Sequence, residues 1–94
     1  MPTMSFLPRL QEFLLDNGFI FTVRKYRMTR AVVDIDGVGK CNRIPITGVV
    51  SRETLLPYLK SSGFPTLEDW WAKIRYFTPN KNLPLYLYKV EVIK

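Results

Sequence analysis

The stretch PLYLYKVEVI, residues 84–93, constrains the fold of this chain more than any other feature. Tyr86, Tyr88, Val90 and Val92 alternate on one side of it, the pattern of a long β-strand. Two helical stretches precede it, so its hydrogen-bonding partners must come from extended segments much earlier in the chain. A strand that returns after two helices suggests a small barrel closed by that last strand. Closure would also hide edges that otherwise pair with other chains.

The earlier segments supply what such a barrel needs. Phe6, Leu7, Leu10, Phe13 and Leu14 recur on one helical stripe, which predicts an amphipathic helix over residues 5–17. Ser5 is its expected N-cap, Pro8 falls in the first turn, and Gly18 supplies the left-handed stop. Residues 19–27, FIFTVRKYR, read as a strand with Phe19, Phe21 and Val23 on a core face. Ile20, Thr22, Arg24 and Tyr26 form a mixed second face, as expected of a cleft wall. Residues 31–36 form a shorter strand ending in an Asp36-Gly37 hairpin signal. Residues 42–50 continue extended, with Pro45 and Gly48 marking an edge or a barrel corner.

Pro57 restricts residues 51–62 to a short helix, expected to start near Thr54, and Gly63 stops it. The next helix has the strongest signature: Thr66 and Asp69 spaced as a capping box, then an apolar stripe of Leu67, Trp70, Trp71, Ile74 and Phe77. The expected architecture is α+β, a small β-barrel with an N-terminal helix and a two-helix insertion before the last strand. With 94 residues, 47% of them hydrophobic, the chain is expected to be a single domain over residues 1–94, packed around one core.

Composition excludes several kinds of chemistry. There is no histidine, so neither a Ser-His-Asp nor a Cys-His catalytic centre is available, and no imidazole binds metal. The single Cys41 can form no internal disulfide and no zinc site by itself. No metal or cofactor is expected. No apolar run approaches the roughly 20 residues that span a bilayer, and residues 1–11 lack a signal peptide's pattern. A soluble, cytoplasmic protein without membrane contact is the expectation.

The formal charge of +6 is concentrated. Arg24, Lys25, Arg27, Arg30, Lys40 and Arg43 face only Asp34 and Asp36 within residues 24–43, a net +4 in that segment. Cations interleaved with Tyr26 suit RNA, where guanidinium groups hold phosphates and a ring stacks on an exposed base. The same charges also suit an edge strand guarded against aggregation. Thr22 and Arg24 share a strand face and together can clamp a phosphate or a base edge, or Arg24 can pair with Glu68 or Asp69. Trp70 and Trp71 point in different directions on their helix; one belongs to the core, and Trp71 is the candidate for stacking on a base. The GVGK stretch at residues 37–40 precedes a strand and lacks a phosphate loop's length, so it reads as a hairpin turn. Cys41 reads as a half-buried, unreactive thiol.

In order, these pieces resemble the ASCH group of the PUA-like superfamily, small RNA-associated β-barrel domains. The resemblance rests on a leading helix ending in Gly18, FTVR (21–24) as a barrel strand, the GVGKCNRIPITGVV region, a helical insertion carrying SGFPTLEDWW (62–71), and LYLYKVEVI at the close. It implies a PUA-like barrel that binds RNA. Members with amidohydrolase activity on acetylated cytidine carry a lysine just after the glycine, followed by a Thr-x-Thr-x-Arg strand. Here Gly18 is followed by Phe19 and Ile20; Thr22 and Arg24 remain, and the lysine is absent. The expectation is therefore an RNA-binding domain, leaning away from an enzyme. Its site comprises Thr22, Arg24, Lys25, Tyr26, Arg27, Arg30, Lys40 and Arg43, with Trp71 stacking. The alternatives are a small hydrolase or nucleoside-modifying enzyme in the same cleft, with Glu53, Glu68 or Asp69 as base, and a protein-interaction module with an acidic partner.

Overall fold

In the computed structural model, which describes residues 2–93, the last strand lies inside the sheet and not at its border. The chain runs β1 (Thr3–Met4), α1 (Pro8–Asn17), β2 (Phe19–Arg24), β3 (Ala31–Ile35), β4 (Gly39–Val49), a 3-10 helix (Arg52–Ser61), α2 (Leu67–Phe77) and β5 (Leu85–Val92). One five-stranded sheet has the order β1-β3-β4-β5-β2. β1 is parallel to β3, and the other pairs are antiparallel. β5 pairs with β4 from Cys41↔Val92 to Val49↔Leu85, and with β2 from Phe19↔Glu91 to Arg24↔Tyr86.

The terminal strands of that order, β1 and β2, do not pair with each other. The curled sheet is thus a half-barrel, where the sequence led to an expectation of a closed one. The covering of the sheet explains the difference. On one face, Phe6, Leu10 and Leu14 from the N-terminal segment and α1 pack with Ile20, Val33, Ile35, Cys41 and Val90. On the other, Leu55 of the 3-10 helix and Trp70 and Ile74 of α2 pack with Leu85, Leu87, Phe21 and Val23. Both faces are therefore filled by helices, and each fully buried aliphatic side chain contributes about 1.5–3 kcal/mol. The face of β2 read as a cleft wall is core at Ile20 and opens only towards Arg24.

Local signals explain the element boundaries. Helix α1 starts at Pro8, not near Ser5, because a residue before proline is driven out of helical geometry; Leu7 sits at φ −59°, ψ 148°. Residues 3–4 are thereby free to form β1. Gly18 ends α1 in the left-handed region at φ 86°. Thr66 caps α2, its Oγ1 accepting the Asp69 N–H at 3.1 Å. The segment with Pro57 begins at Arg52, earlier than expected, and winds as a 3-10 helix with the proline inside. Its i→i+3 bonding avoids the clash that a proline ring makes in an α-helix interior. In β4 the register against β5 shifts between Pro45 and Thr47, and β3 pairs only as far as Arg43. The second half of β4 is accordingly the edge that Pro45 and Gly48 announced.

Between β2 and β3 the chain passes through residues 25–30, KYRMTR, without regular structure. Two inward-facing side chains hold this loop. The Tyr88 hydroxyl, on a residue only 1% exposed, accepts the Met28 N–H at 2.6 Å and donates to the Tyr26 carbonyl at 2.9 Å. Arg43 donates from Nε and Nη2 to the Thr29 carbonyl at 3.1 and 2.9 Å. Tyr88→Phe keeps the ring and leaves the Met28 N–H and the Tyr26 carbonyl without their partner. It should lower stability by about 1–3 kcal/mol, measured as a shift of the urea midpoint at constant m-value.

Candidate nucleic-acid interface

The unpaired seam of the half-barrel is a cleft of about 730 Å³. One wall is the segment from Thr3 to Pro8, the other is the end of β2 with Thr22, Arg24, Lys25 and Tyr26, and α2 contributes Trp70, Lys73, Ile74 and Phe77. The lining is largely apolar, with cations at the rim, and its volume lies in the range of small-ligand sites, roughly 300–1,000 Å³. No aspartate or glutamate is part of it.

Arg24 is its electrostatic centre. The half-buried guanidinium reaches across the seam and donates from Nη2 to the Ser5 carbonyl at 3.0 Å, while lying 4.9 Å from the centre of the Phe6 ring. Ser5, expected as a helix cap, thus serves the cleft through its backbone. Arg24 forms no ion pair: among the described residues the ion pairs are Arg52–Glu53 and Lys89–Glu91. The pairing with Glu68 or Asp69 that the sequence allowed is not made. Burial pushes the Arg24 guanidinium below its ordinary value, because leaving water penalises the charged form. It still remains protonated at neutral pH. A charged, desolvated group with unused donors in an apolar cleft is a site at which an anion recovers the lost solvation.

The structure divides the other sequence candidates into four groups. Thr22, Lys25 and Tyr26 line the cleft with Arg24; Thr22 is buried, and Tyr26 is 66% exposed with Lys25 Nζ 5.3 Å from its ring centre. Arg27 and Arg30 lie exposed on the adjoining loop. Lys40 is exposed beside the β3–β4 hairpin, opposite Asp34 and at the far end of β3 from that loop. Arg43 is only 6% exposed, and its guanidinium is turned under the loop to the Thr29 carbonyl and Met28 Sδ. Its charge positions the loop from below and is not part of an outward surface.

The aromatic contribution also differs from expectation. Trp71 does not line the cleft; it packs on the second core cluster under the Arg75 guanidinium, 4.6 Å from its ring centre. Trp70 reaches the wall but is buried, stacked on Phe64 at 6.3 Å. The accessible rings of the cleft are Tyr26 and Phe77, the latter 57% exposed. Lys73 and Phe77 were not among the sequence candidates. The signal was their position on α2, Lys73 flanking the Trp70–Ile74 stripe and Phe77 at its end. Cys41 is fully buried, deeper than expected, and burial followed by the nearby Asp34 charge pushes its thiol up, away from a reactive thiolate.

Among the described residues, no cluster of three or more histidine, cysteine, aspartate or glutamate side chains is disposed to hold a metal ion. Likewise, no helix among them is long and apolar enough to cross a membrane. Compared with protein-family models, curated proteins and solved structures, the chain finds no match.

The two roles of the arginines separate by experiment. Arg43→Met keeps an apolar stem and removes the donors to Thr29. It should cost about 1–3 kcal/mol in urea unfolding, whereas Arg27→Ala or Arg30→Ala should stay within about 0.5 kcal/mol of the parent, as exposed substitutions do.

Proposed function

We propose that this domain binds single-stranded RNA, admitting a nucleotide into the seam cleft as a PUA-like, ASCH-type module. The observation that carries the reading is Arg24: a charged, half-buried guanidinium without a carboxylate partner, at the centre of an apolar cleft that it shares with Thr22 and Tyr26. A phosphate would be held by Arg24 with Lys25 and Lys73 at the rim, and a base would enter against Tyr26 or Phe77. Arg27 and Arg30, on the loop held by Tyr88 and Arg43, would add electrostatic capture from outside the cleft. The fixed loop reduces the ordering cost of binding. The hydrolase alternative requires a carboxylate facing Arg24 and Thr22, and Glu53, Glu68 and Asp69 all lie outside this cleft. Recognition of an acidic protein is less well matched, because a flat basic patch would serve it without a cleft.

The test is binding of a labelled single-stranded RNA pool, followed by fluorescence anisotropy across a salt series. Affinity should fall linearly in log–log form, with a slope near −0.7 for each phosphate neutralised. Arg24→Gln should weaken binding about 10- to 100-fold, the loss expected for a charged hydrogen bond, with thermal melting confirming the fold. Absence of binding at low salt would overturn the reading.

A further inference from the structure

A second groove, of about 540 Å³, adjoins the seam cleft. It is lined by Arg9, Phe64, Pro65, Asp69, Ala72, Lys73 and Tyr76, so Phe64 and Lys73 are walls of both depressions. On α2, Asp69, Ala72, Lys73 and Tyr76 are related by steps of three (69 to 72, 73 to 76) and four (69 to 73, 72 to 76) and therefore share a single helical stripe. Ala72 leaves that stripe open in the middle. Tyr76 is 74% exposed, a large ring kept in solvent beside the Lys73 ammonium, whose Nζ lies 5.4 Å from its centre.

Across the groove stands Arg9, at the start of α1. Its Nη1 donates to the Gly63 carbonyl at 2.6 Å and its guanidinium lies 5.0 Å from the centre of the Phe64 ring. The side chain is thus fixed in direction with donors to spare. The groove consequently has a cation on each wall, Arg9 and Lys73, and an exposed ring at its side, and it meets the first cleft at the shared Phe64 and Lys73. Asp69 is the one anion among its lining residues, and it sits at the capped N-terminal turn of α2. A phosphate would avoid that end, whereas the amino groups of a base are donors for a carboxylate.

We propose that this groove is a second nucleotide subsite, so that the ligand is a strand of at least two nucleotides crossing α2 at Lys73, with one base in the seam cleft and the next stacked on Tyr76. This rests on the RNA-binding reading of the cleft and adds the length and path of the ligand. Lys73, between the two depressions, would neutralise the linking phosphate. Arg9 would hold the phosphate that follows.

The experiment measures the affinity of the full chain for adenosine monophosphate and for oligoadenylates of two, four and eight nucleotides by competition against a labelled octamer. Affinity should rise about ten-fold or more from the mononucleotide to the tetranucleotide, since one base–aromatic stack alone is worth roughly five-fold or more. Tyr76→Ala, at an exposed position and with thermal melting confirming the fold, should remove most of that gain while changing mononucleotide binding far less. Arg24→Gln should weaken every length. If the mononucleotide competes as well as the octamer, or if Tyr76→Ala leaves the length dependence intact, the second subsite is wrong while RNA binding in the cleft stands. If no oligonucleotide competes and none binds directly at low salt, both fail together.

Discussion

The two-sided pairing of β5 is the constraint on which the rest of the molecule depends. Its ladder with β2 sets Thr22 against Tyr88 and Arg24 against Tyr86, while its ladder with β4 sets Arg43 against Val90. These registers bring Thr22, Arg24 and the loop-holding Tyr88 and Arg43 to one side of the sheet. A slip of β5 by one residue would move Tyr88 to the opposite face and leave the 25–30 loop held by Arg43 alone. It would also exchange Val90 for Lys89 in the first core cluster. Core packing and loop position are consequently specified by the same pairing.

Charge is distributed with a division of labour that net composition conceals. Arg43 faces inward and is matched by a carbonyl, Arg24 spans a seam and retains unused donors, and Arg27 and Arg30 stand in water. All four are arginines in one basic segment, and their energetic roles range from structural anchor to solvated charge. The exposed members add to a long-range positive field that salt screens, whereas the partly buried Arg24 is screened less. Its place beside Phe6 also means that the two unpaired ends of the sheet are joined by a side chain and not by a ladder.

Elements announced by local chemistry were legible in the sequence: Gly18, the Asp36-Gly37 turn, the Thr66 cap and the alternation of residues 84–93 each act within a few residues. The order of helices and strands followed from them. Legibility ended where a feature depends on distant segments. β1 has two residues and no pattern of its own, being defined by β3. Whether the sheet closes depends on the volume of α1 and α2 against its faces, which periodicity does not report. Trp70 and Trp71 are adjacent, so the apolar stripe alone does not decide which turns to the core. Arg43 had the same signature as Arg27, because an alternating strand reveals which face a residue takes and not what fills the space above it. The stretch from Thr22 to Tyr26 was visible for being contiguous, and the Trp70–Trp71 helix was expected above it; Lys73, Phe77 and the wall from Thr3 to Pro8 were not.

The position of β5 also bears on how this chain comes to be folded. β2 is complete by residue 24, and its principal partner begins at residue 85. During synthesis at about 5–20 residues per second, FIFTVR therefore waits for several seconds with no strand beside it. It is a short β-prone run of the kind that recruits other chains. Arg24 ends the run and Lys25 and Arg27 follow directly, and repulsion between their charges opposes stacking of nascent copies during that interval. The basic segment beside the cleft thus has work to do before there is a cleft at all.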